Sequence, residues 1–439
     1  MQIHLKTLGC RLNEAELETW AQAFQAAGHS ISRKQDDAQL VVINTCAVTE
    51  DAARKSRQLI RRIHRDNPQA KMVVSGCYAT LNEDEAAQLL GVDLIVSNKD
   101  KNQLVEKALT ELNLDSMPNM STEPGEVSLF SRGRQRAFVK VQDGCRYRCT
   151  FCIVTVARGE EQSRSVQTVI DEINALHAQG IQEVIITGVH LGGYGGDIDS
   201  NLLELIQAIL TNTAIPRLRL GSLEPWELPD GFFELFKNPR LLPHLHLPLQ
   251  SGSDSVLKRM ARRCKTQEFT AMVAEARALI PHFNVTTDII VGFPGETEQE
   301  WQESYDYIKN LGFGHIHIFS YSPRQGTKAA EFPIQINQEI KKQRSKQLHE
   351  LAENLKQQFI AENIGVTAEV LWEGQTETLD EQTTRYFGYT ANYLRVACDV
   401  SNGVELENRI LPCQLITAEA GFVVAKCDLE AAMLQFSID

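Results

Sequence analysis

Cys145-Arg146-Tyr147-Arg148-Cys149-Thr150-Phe151-Cys152 places three thiols within eight residues, at spacings of four and three. Such a loop can close around one metal centre without help from distant parts of the chain. A structural zinc ion takes four protein ligands, usually from two paired hooks, and here the local set stops at three. A cubane iron–sulfur cluster has four irons, so three cysteines leave one iron open to a substrate or cofactor. The loop therefore reads as an open cluster site.

Three further cysteines depend on the elements that carry them. Ile3–Leu8, Leu40–Asn44 and Met72–Ser75 read as short buried strands. Helical patterns separate them: Asn13–Ala27 ended by Gly28, a helix capped by Thr49, one from about Asn82 to Leu90 and one from about Lys101 to Leu112. Asp93–Val96 adds another strand. This β-α alternation predicts a doubly wound parallel sheet. Cys10, Cys46 and Cys77 each follow a strand, and the carboxyl ends of parallel strands share one edge, where ligands bind. Gly9 and Gly76, each just before a cysteine, would permit close backbone approach. Three thiols distant in sequence are thus expected to meet as a second three-thiolate metal site.

The chain divides into residues 1–113, a linker at 114–135 rich in Pro, Gly, Ser, Asn and Thr, residues 136–362, and residues 363–439. The third segment carries six strand signals: 138–142, 183–187, 217–221, 244–249, 284–291 and 315–321. A closed eightfold barrel needs roughly 250 residues, so an open (β/α)6 partial barrel fits better. Its strand ends carry Gly188-Val189-His190-Leu191-Gly192-Gly193, Leu223-Glu224-Pro225, Pro248-Leu249-Gln250-Ser251-Gly252 and Gly292-Phe293-Pro294-Gly295-Glu296. Gly188, Gly192, Gly193 and Gln250 are the candidate cofactor contacts there. A charged helix over Gln338–Asn363 leads to several short strands between Val366 and Leu429, the size of a small antiparallel β-barrel.

Bulk properties set the setting. The 439 residues carry a net charge of −13 and ten cysteines. No run approaches the ~18 apolar residues of a membrane span and no signal peptide is evident, so the expectation is a cytoplasmic protein without a membrane partner. Ten cysteines there imply metal or redox chemistry rather than disulfides. The overall charge argues against nonspecific nucleic-acid binding. Locally, however, residues 52–71 hold seven basic side chains against Asp66 alone, and Lys258, Arg259, Arg262, Arg263 and Lys265 form a second basic run. Residues 366–439 are the reverse, with twelve acidic side chains against four basic ones.

Taken together, the Cys-x3-Cys-x2-Cys loop with Leu8-Gly9-Cys10, Asn44-Thr45-Cys46 and Ser75-Gly76-Cys77 resembles the methylthiotransferase family of radical S-adenosylmethionine enzymes, over nearly the whole chain. Thr187–Gly195, Arg217–Pro225 and Phe319–Thr327 look most like the transfer-RNA enzymes that act on N6-threonylcarbamoyladenosine next to the anticodon. The resemblance implies two 4Fe-4S clusters, on Cys145, Cys149 and Cys152 and on Cys10, Cys46 and Cys77, and S-adenosyl-L-methionine as cofactor. It implies a 5′-deoxyadenosyl radical that removes hydrogen from C2 of the adenine, and insertion there of sulfur and methyl. No catalytic residue beyond the cluster ligands is assigned. The implied partners are tRNA, a low-potential electron donor of flavodoxin or ferredoxin type, and a sulfur donor. The last segment would be a TRAM barrel, a fold whose relatives bind RNA, and its acidity shifts the expected phosphate contacts to the two basic runs. Two departures stand out: this acidity, and Val154-Thr155-Val156, which lacks the proline often found after the third cysteine. Other readings stay open: methylthiolation of N6-isopentenyladenosine in tRNA or of a ribosomal-protein aspartate, or a non-catalytic iron–sulfur RNA-binding regulator. Cys264, Cys398, Cys413 and Cys427 read as small buried apolar residues.

Overall fold

The computed structural model describes residues 1–32, 34–112, 135–419 and 421–427. The expected linker, apart from Gln135, lies outside the described residues, as do Asp428, Glu430 and Asp439.

The N-terminal sheet is parallel, in the order Ser30–Ile31, Gln2–Thr7, Leu40–Thr45, Lys71–Gly76, Leu94–Val96. Leu40–Thr45 is buried on both faces, and successive side chains of a strand face opposite ways. Leu40 and Val42 pack with Trp20 and Phe24 of the helix Arg11–Ala26. Val41 and Ile43 pack with Leu59, Ile60 and Ile63 of the helix Glu50–Asp66. A sheet covered on both sides by helices is the doubly wound arrangement expected. Two local differences appear. Ser30–Ile31 adds an edge strand too short to leave a sequence pattern. The third helical segment starts at Cys77 itself, as Cys77–Leu81 and then Glu83–Ala87, because Gly76 makes the turn at φ 94° and nothing in Cys77–Leu81 breaks a helix.

The central domain consists of two three-stranded parallel sheets, Arg136–Lys140 with Glu183–Thr187 and Arg217–Leu220, and His244–His246 with Asn284–Val291 and His315–Ser320. Single bridges at Leu218–Leu241 and Ser222–His246 join them into one open six-stranded series. Val184, Ile186, Leu218, Leu220, Leu245, Leu247 and Val285 belong to the outer core with the covering helices. The alternate residues, including Phe138, Arg219, His246, Asp288 and His317, therefore line the concave face. The first strand starts and ends two residues earlier than the 138–142 expected. Gln142–Asp143 instead pairs with Gln162–Ser163, because the Gln142 side chain is engaged in the turn, donating to the Gly144 carbonyl (2.9 Å) and accepting from the His190 backbone (2.8 Å).

The helix Gln338–Asn363 leads into a closed five-stranded barrel, Thr367–Thr378, Thr383–Thr390, Arg395–Ser401, Phe422–Cys427 and Ile410–Glu419 in spatial order. Its pairs are antiparallel except Arg395–Ser401 with Phe422–Cys427. Trp372 fills the core, and Cys398, Cys413 and Cys427 are buried there, Cys413 Sγ lying 3.3 Å from Cys427 Sγ. The turn after Thr390 reaches into the central domain. Tyr393 stacks on His244 (4.9 Å) and Tyr389 (5.1 Å), with the Arg219 guanidinium 4.5 Å from its ring centre. Among the described residues, no helix is long and apolar enough to cross a membrane.

Candidate active site

Cys10, Cys46 and Cys77 sit at the carboxyl ends of neighbouring strands. Gly9, at φ 122°, lies so close that a Cβ there would come 3.1 Å from Cys46 Sγ. At Gly76 an added Cβ would meet the Thr45 carbonyl at 2.3 Å. Both glycines thus hold a thiol-bearing turn tight against its neighbour. Cys10 is exposed while Cys46 and Cys77 are buried, and the three interact electrostatically with one another. Burial pushes the Cys46 thiol up to about 11, so at neutral pH it keeps its proton until a bound cation displaces it.

Cys145, Cys149 and Cys152 are half-buried in the loop after Asp143. The helix Val154–Arg158 follows directly and packs on the helix that begins at Cys77. Asn98 clasps this contact, donating to the Ala157 carbonyl at 2.8 Å and lying 3.8 Å from Cys77 Sγ. Cys152 and Cys77 fall within electrostatic reach of each other. The two thiol sets are therefore linked across the domain junction through packed helices.

A buried ionic cluster fastens that junction. Arg158, with 2% of its side chain exposed, donates to Glu16 (2.9 Å), Asp143 (3.1 Å) and Asn13 (2.9 Å). Lys101 binds Glu16 at 2.7 Å and also Asp143, and Lys140 approaches both carboxylates at 3.4 Å. Burial would push the Glu16 carboxyl up, but the charges of Arg158, Lys140 and Lys101 hold it well below the usual range. Arg158 also feels Cys77 and Cys10. Fixed positive charge beside three thiols suits an anionic cluster. Neither Glu16 nor Arg158 stood out in the sequence, where an acid in an amphipathic helix is an ordinary surface residue.

Beside the Cys145 loop, His190 binds Glu161 through Nδ1, while its Nε2 is buried without a partner. Glu224 Oε2 likewise makes no hydrogen bond among the described residues, standing 3.7 Å from His190 Nε2, and burial raises its pKa. It is close enough to Cys145 to affect that thiol, which burial pushes up to about 12. A buried carboxylate with hydrogen-bonding capacity to spare, beside an open three-cysteine loop, fits an amine-bearing cofactor such as S-adenosylmethionine. Arg262, stacked 4.2 Å over Trp226, lies beside it. Leu223-Glu224-Pro225 at a strand end was the available signal for this residue.

The four predicted cofactor contacts fall into two groups. Added Cβ atoms at Gly188, Gly192 and Gly193 would come within 2.9 Å of Gln142, 2.6 Å of Glu227 and 2.4 Å of His190, so packing within the protein already requires their small size. Gln250 is buried at φ 79°, in the left-handed region that side chains other than glycine seldom adopt. Its backbone links to Asp288 and Ile290 at 2.8 and 2.9 Å, and such strain clusters at ligand sites.

The two basic runs differ. Arg259 pairs with Glu300 at 2.7 Å, and Arg263 lies 4.7 Å over Tyr147. Arg262 lies on Trp226, while Lys258, Arg263 and Lys265 are exposed. In the helix Glu50–Asp66, Lys55 pairs with Asp51 (2.7 Å) and Arg65 with Asp66 (3.1 Å), while Arg61 and Arg62 are exposed, and all four line a groove with Leu8 and Gln58. In the barrel, Arg385 is held by Asp399 (2.6 Å) and Glu419 (3.5 Å).

Comparison with known proteins agrees with this architecture. Residues 2–97 match the family model "Uncharacterized protein family UPF0004", and residues 139–308 match "Radical SAM superfamily". The threonylcarbamoyladenosine tRNA methylthiotransferase MtaB of Bacillus subtilis is 36% identical over 401 residues, 89% of this chain and 88% of the relative. The tRNA-2-methylthio-N(6)-dimethylallyladenosine synthase of Bacillus velezensis is 32% identical, over 86% of this chain and 77% of that protein. Among solved structures, the radical S-adenosylmethionine methyltransferase TsrM of Kitasatospora setae superposes with a TM-score of 0.56 at 17% identity, covering 75% of this chain and 77% of that one, a likeness of fold. Radical SAM membership brings S-adenosylmethionine and a 4Fe-4S cluster with it. The chain belongs to the radical S-adenosylmethionine methylthiotransferases, in their MtaB-type branch.

Proposed function

We propose that this enzyme inserts sulfur and methyl at C2 of N6-threonylcarbamoyladenosine next to the anticodon of tRNA. One observation carries the reading: two three-cysteine sets are joined across a fastened domain junction, the helix that follows Cys152 packing on the helix that begins at Cys77. A radical generator alone needs one such set. Cys145, Cys149 and Cys152 would hold the cluster that binds S-adenosylmethionine, and Cys10, Cys46 and Cys77 a second cluster that carries sulfur. When bound, cluster and cofactor supply a carbon radical able to take hydrogen from C2, a position beyond acid–base chemistry.

The protein's own residues position and seal. Glu224 and Gln250, at neighbouring strand ends, are placed to receive the cofactor. The Arg158 cluster holds the two thiol sets in register. A base splayed out of a folded loop needs an aromatic platform, and Phe319, on the concave face and 45% exposed, offers one. The basic helix Glu50–Asp66 supplies outward cations for the phosphate backbone, which the acidic barrel lacks. An electron donor of flavodoxin or ferredoxin type and a sulfur donor complete the reaction, in the cytoplasm. The threonylcarbamoyl substrate follows the MtaB relative, which exceeds the dimethylallyl relative in identity and coverage.

Nucleoside analysis of tRNA from a strain deleted for this gene tests the reading. Loss of 2-methylthio-N6-threonylcarbamoyladenosine with retention of its precursor is expected. Loss of the methylthio-isopentenyl form alone would overturn the choice of substrate.

A further inference from the structure

The concave face of the central domain carries a polar group that none of the assigned roles uses. His246, Asp288 and His317 come from three adjacent strands, and one ligating atom of each lies within 4.8 Å of the others. His246 Nε2 stands 3.2 Å from Asp288 Oδ1, and the two side chains are 15% and 25% exposed. His246 Nδ1 lies 2.9 Å from Thr286 Oγ1, so the imidazole is held at both nitrogens, between Thr286 and Asp288. The His246 and His317 rings meet edge to face at 5.5 Å, and His317 is exposed. Phe319 follows two residues later on the same face. The result is a wall with acceptors and donors side by side, next to the aromatic platform.

An N6 substituent is the part of the base that distinguishes the two candidate substrates. A threonylcarbamoyl group presents urea N–H donors, a carbonyl, a hydroxyl and a carboxylate. A dimethylallyl group presents hydrocarbon, which would strip water from this wall and return no hydrogen bond. Sites built to bond a polar group reject analogues lacking it far more strongly than apolar pockets reject an extra polar group. We propose that His246, Asp288 and His317 form the binding site for the polar N6 substituent of the substrate base. Asp288, oriented by His246, accepts from its N–H or hydroxyl groups, and His317 donates to its oxygens. This proposal rests on the substrate reading above and assigns it to residues.

The test is binding of anticodon stem–loop RNAs to the full-length, cluster-loaded enzyme under anaerobic conditions, read by fluorescence anisotropy. The stem–loops carry N6-threonylcarbamoyladenosine, N6-dimethylallyladenosine or unmodified adenosine. Wild type is expected to bind the threonylcarbamoyl loop at least about tenfold tighter than the unmodified one, as one or two hydrogen bonds to a charged group provide. His317→Leu and Asp288→Asn should each lower that preference about tenfold, with iron content and thermal midpoint close to wild type. A wild type that prefers the dimethylallyl loop overturns the substrate reading. A wild type that prefers the threonylcarbamoyl loop, with variants that keep the full preference, overturns this assignment alone. Preference that appears only on adding zinc would make the group a metal site and equally overturn it.

Discussion

Arg158 shows how much a single side chain carries here. It is buried, it bonds three residues of two domains, and it lies within reach of thiols from the N-terminal set. Removing one partner of such a cluster leaves the others charged and unpaired, which costs roughly 3–5 kcal/mol. Arg158→Gln should therefore lower the thermal midpoint clearly, and Arg158→Lys should recover part of the loss. Differential scanning fluorimetry under argon measures both. A second residue gives a pH dependence. Glu183 is fully buried; burial alone would raise its pKa, but Arg219, Arg217 and Arg136 bring it down to about 2. A depressed carboxylate contributes stability above its unfolded pKa of about 4.3 and loses it as pH falls toward the folded value. Acid unfolding should thus steepen between about pH 4 and pH 2. A flat stability profile across that window would contradict the assigned charge state.

At the scale of elements, the turns that deliver cysteines are the sensitive points. Gly76→Ala combines a left-handed backbone with a Cβ 2.3 Å from the Thr45 carbonyl. The strand–helix turn at Cys77 should distort, and iron retained at the N-terminal set should fall while the Cys145 loop keeps its own. Chemical iron analysis of anaerobically reconstituted protein decides this. The basic helix carries another prediction. Arg61→Glu with Arg62→Glu should weaken tRNA binding across sequences and flatten its salt dependence by roughly two phosphate contacts, whereas Arg385→Ala in the barrel should change little. Titrations at several salt concentrations separate the two surfaces. These elements also show what the sequence could reveal. Period and turn residues made the β-α order, the helix Gln338–Asn363 and the cysteine-bearing strand ends legible. The start of a helix at Cys77 was hidden because only the position of Gly76 in space sets it. The roles of Glu16, Arg158, His246, Asp288 and His317 were hidden for a related reason: each is defined by partners from other strands or another domain. The basic run at residues 258–265 is divided in a way charge alone does not report: Arg259 pairs with Glu300, while Lys258, Arg263 and Lys265 stay exposed.

Across the whole molecule, three folds converge on one concave face. The doubly wound domain brings its cysteine edge to the Cys145 loop. The terminal barrel inserts Tyr393 among Arg219, His244 and Tyr389, closing the end of the strands opposite the cysteines. On the concave face itself, His317 and Phe319 stay exposed. Everything in this arrangement depends on both sets holding a cluster. The direct measurement is anaerobic iron and sulfide analysis of the wild type beside a variant with Cys10, Cys46 and Cys77 all changed to alanine. With four irons to a cubane, about eight irons per chain should fall to about four. An unchanged iron content would remove the second cluster, and with it the sulfur carrier on which the account rests.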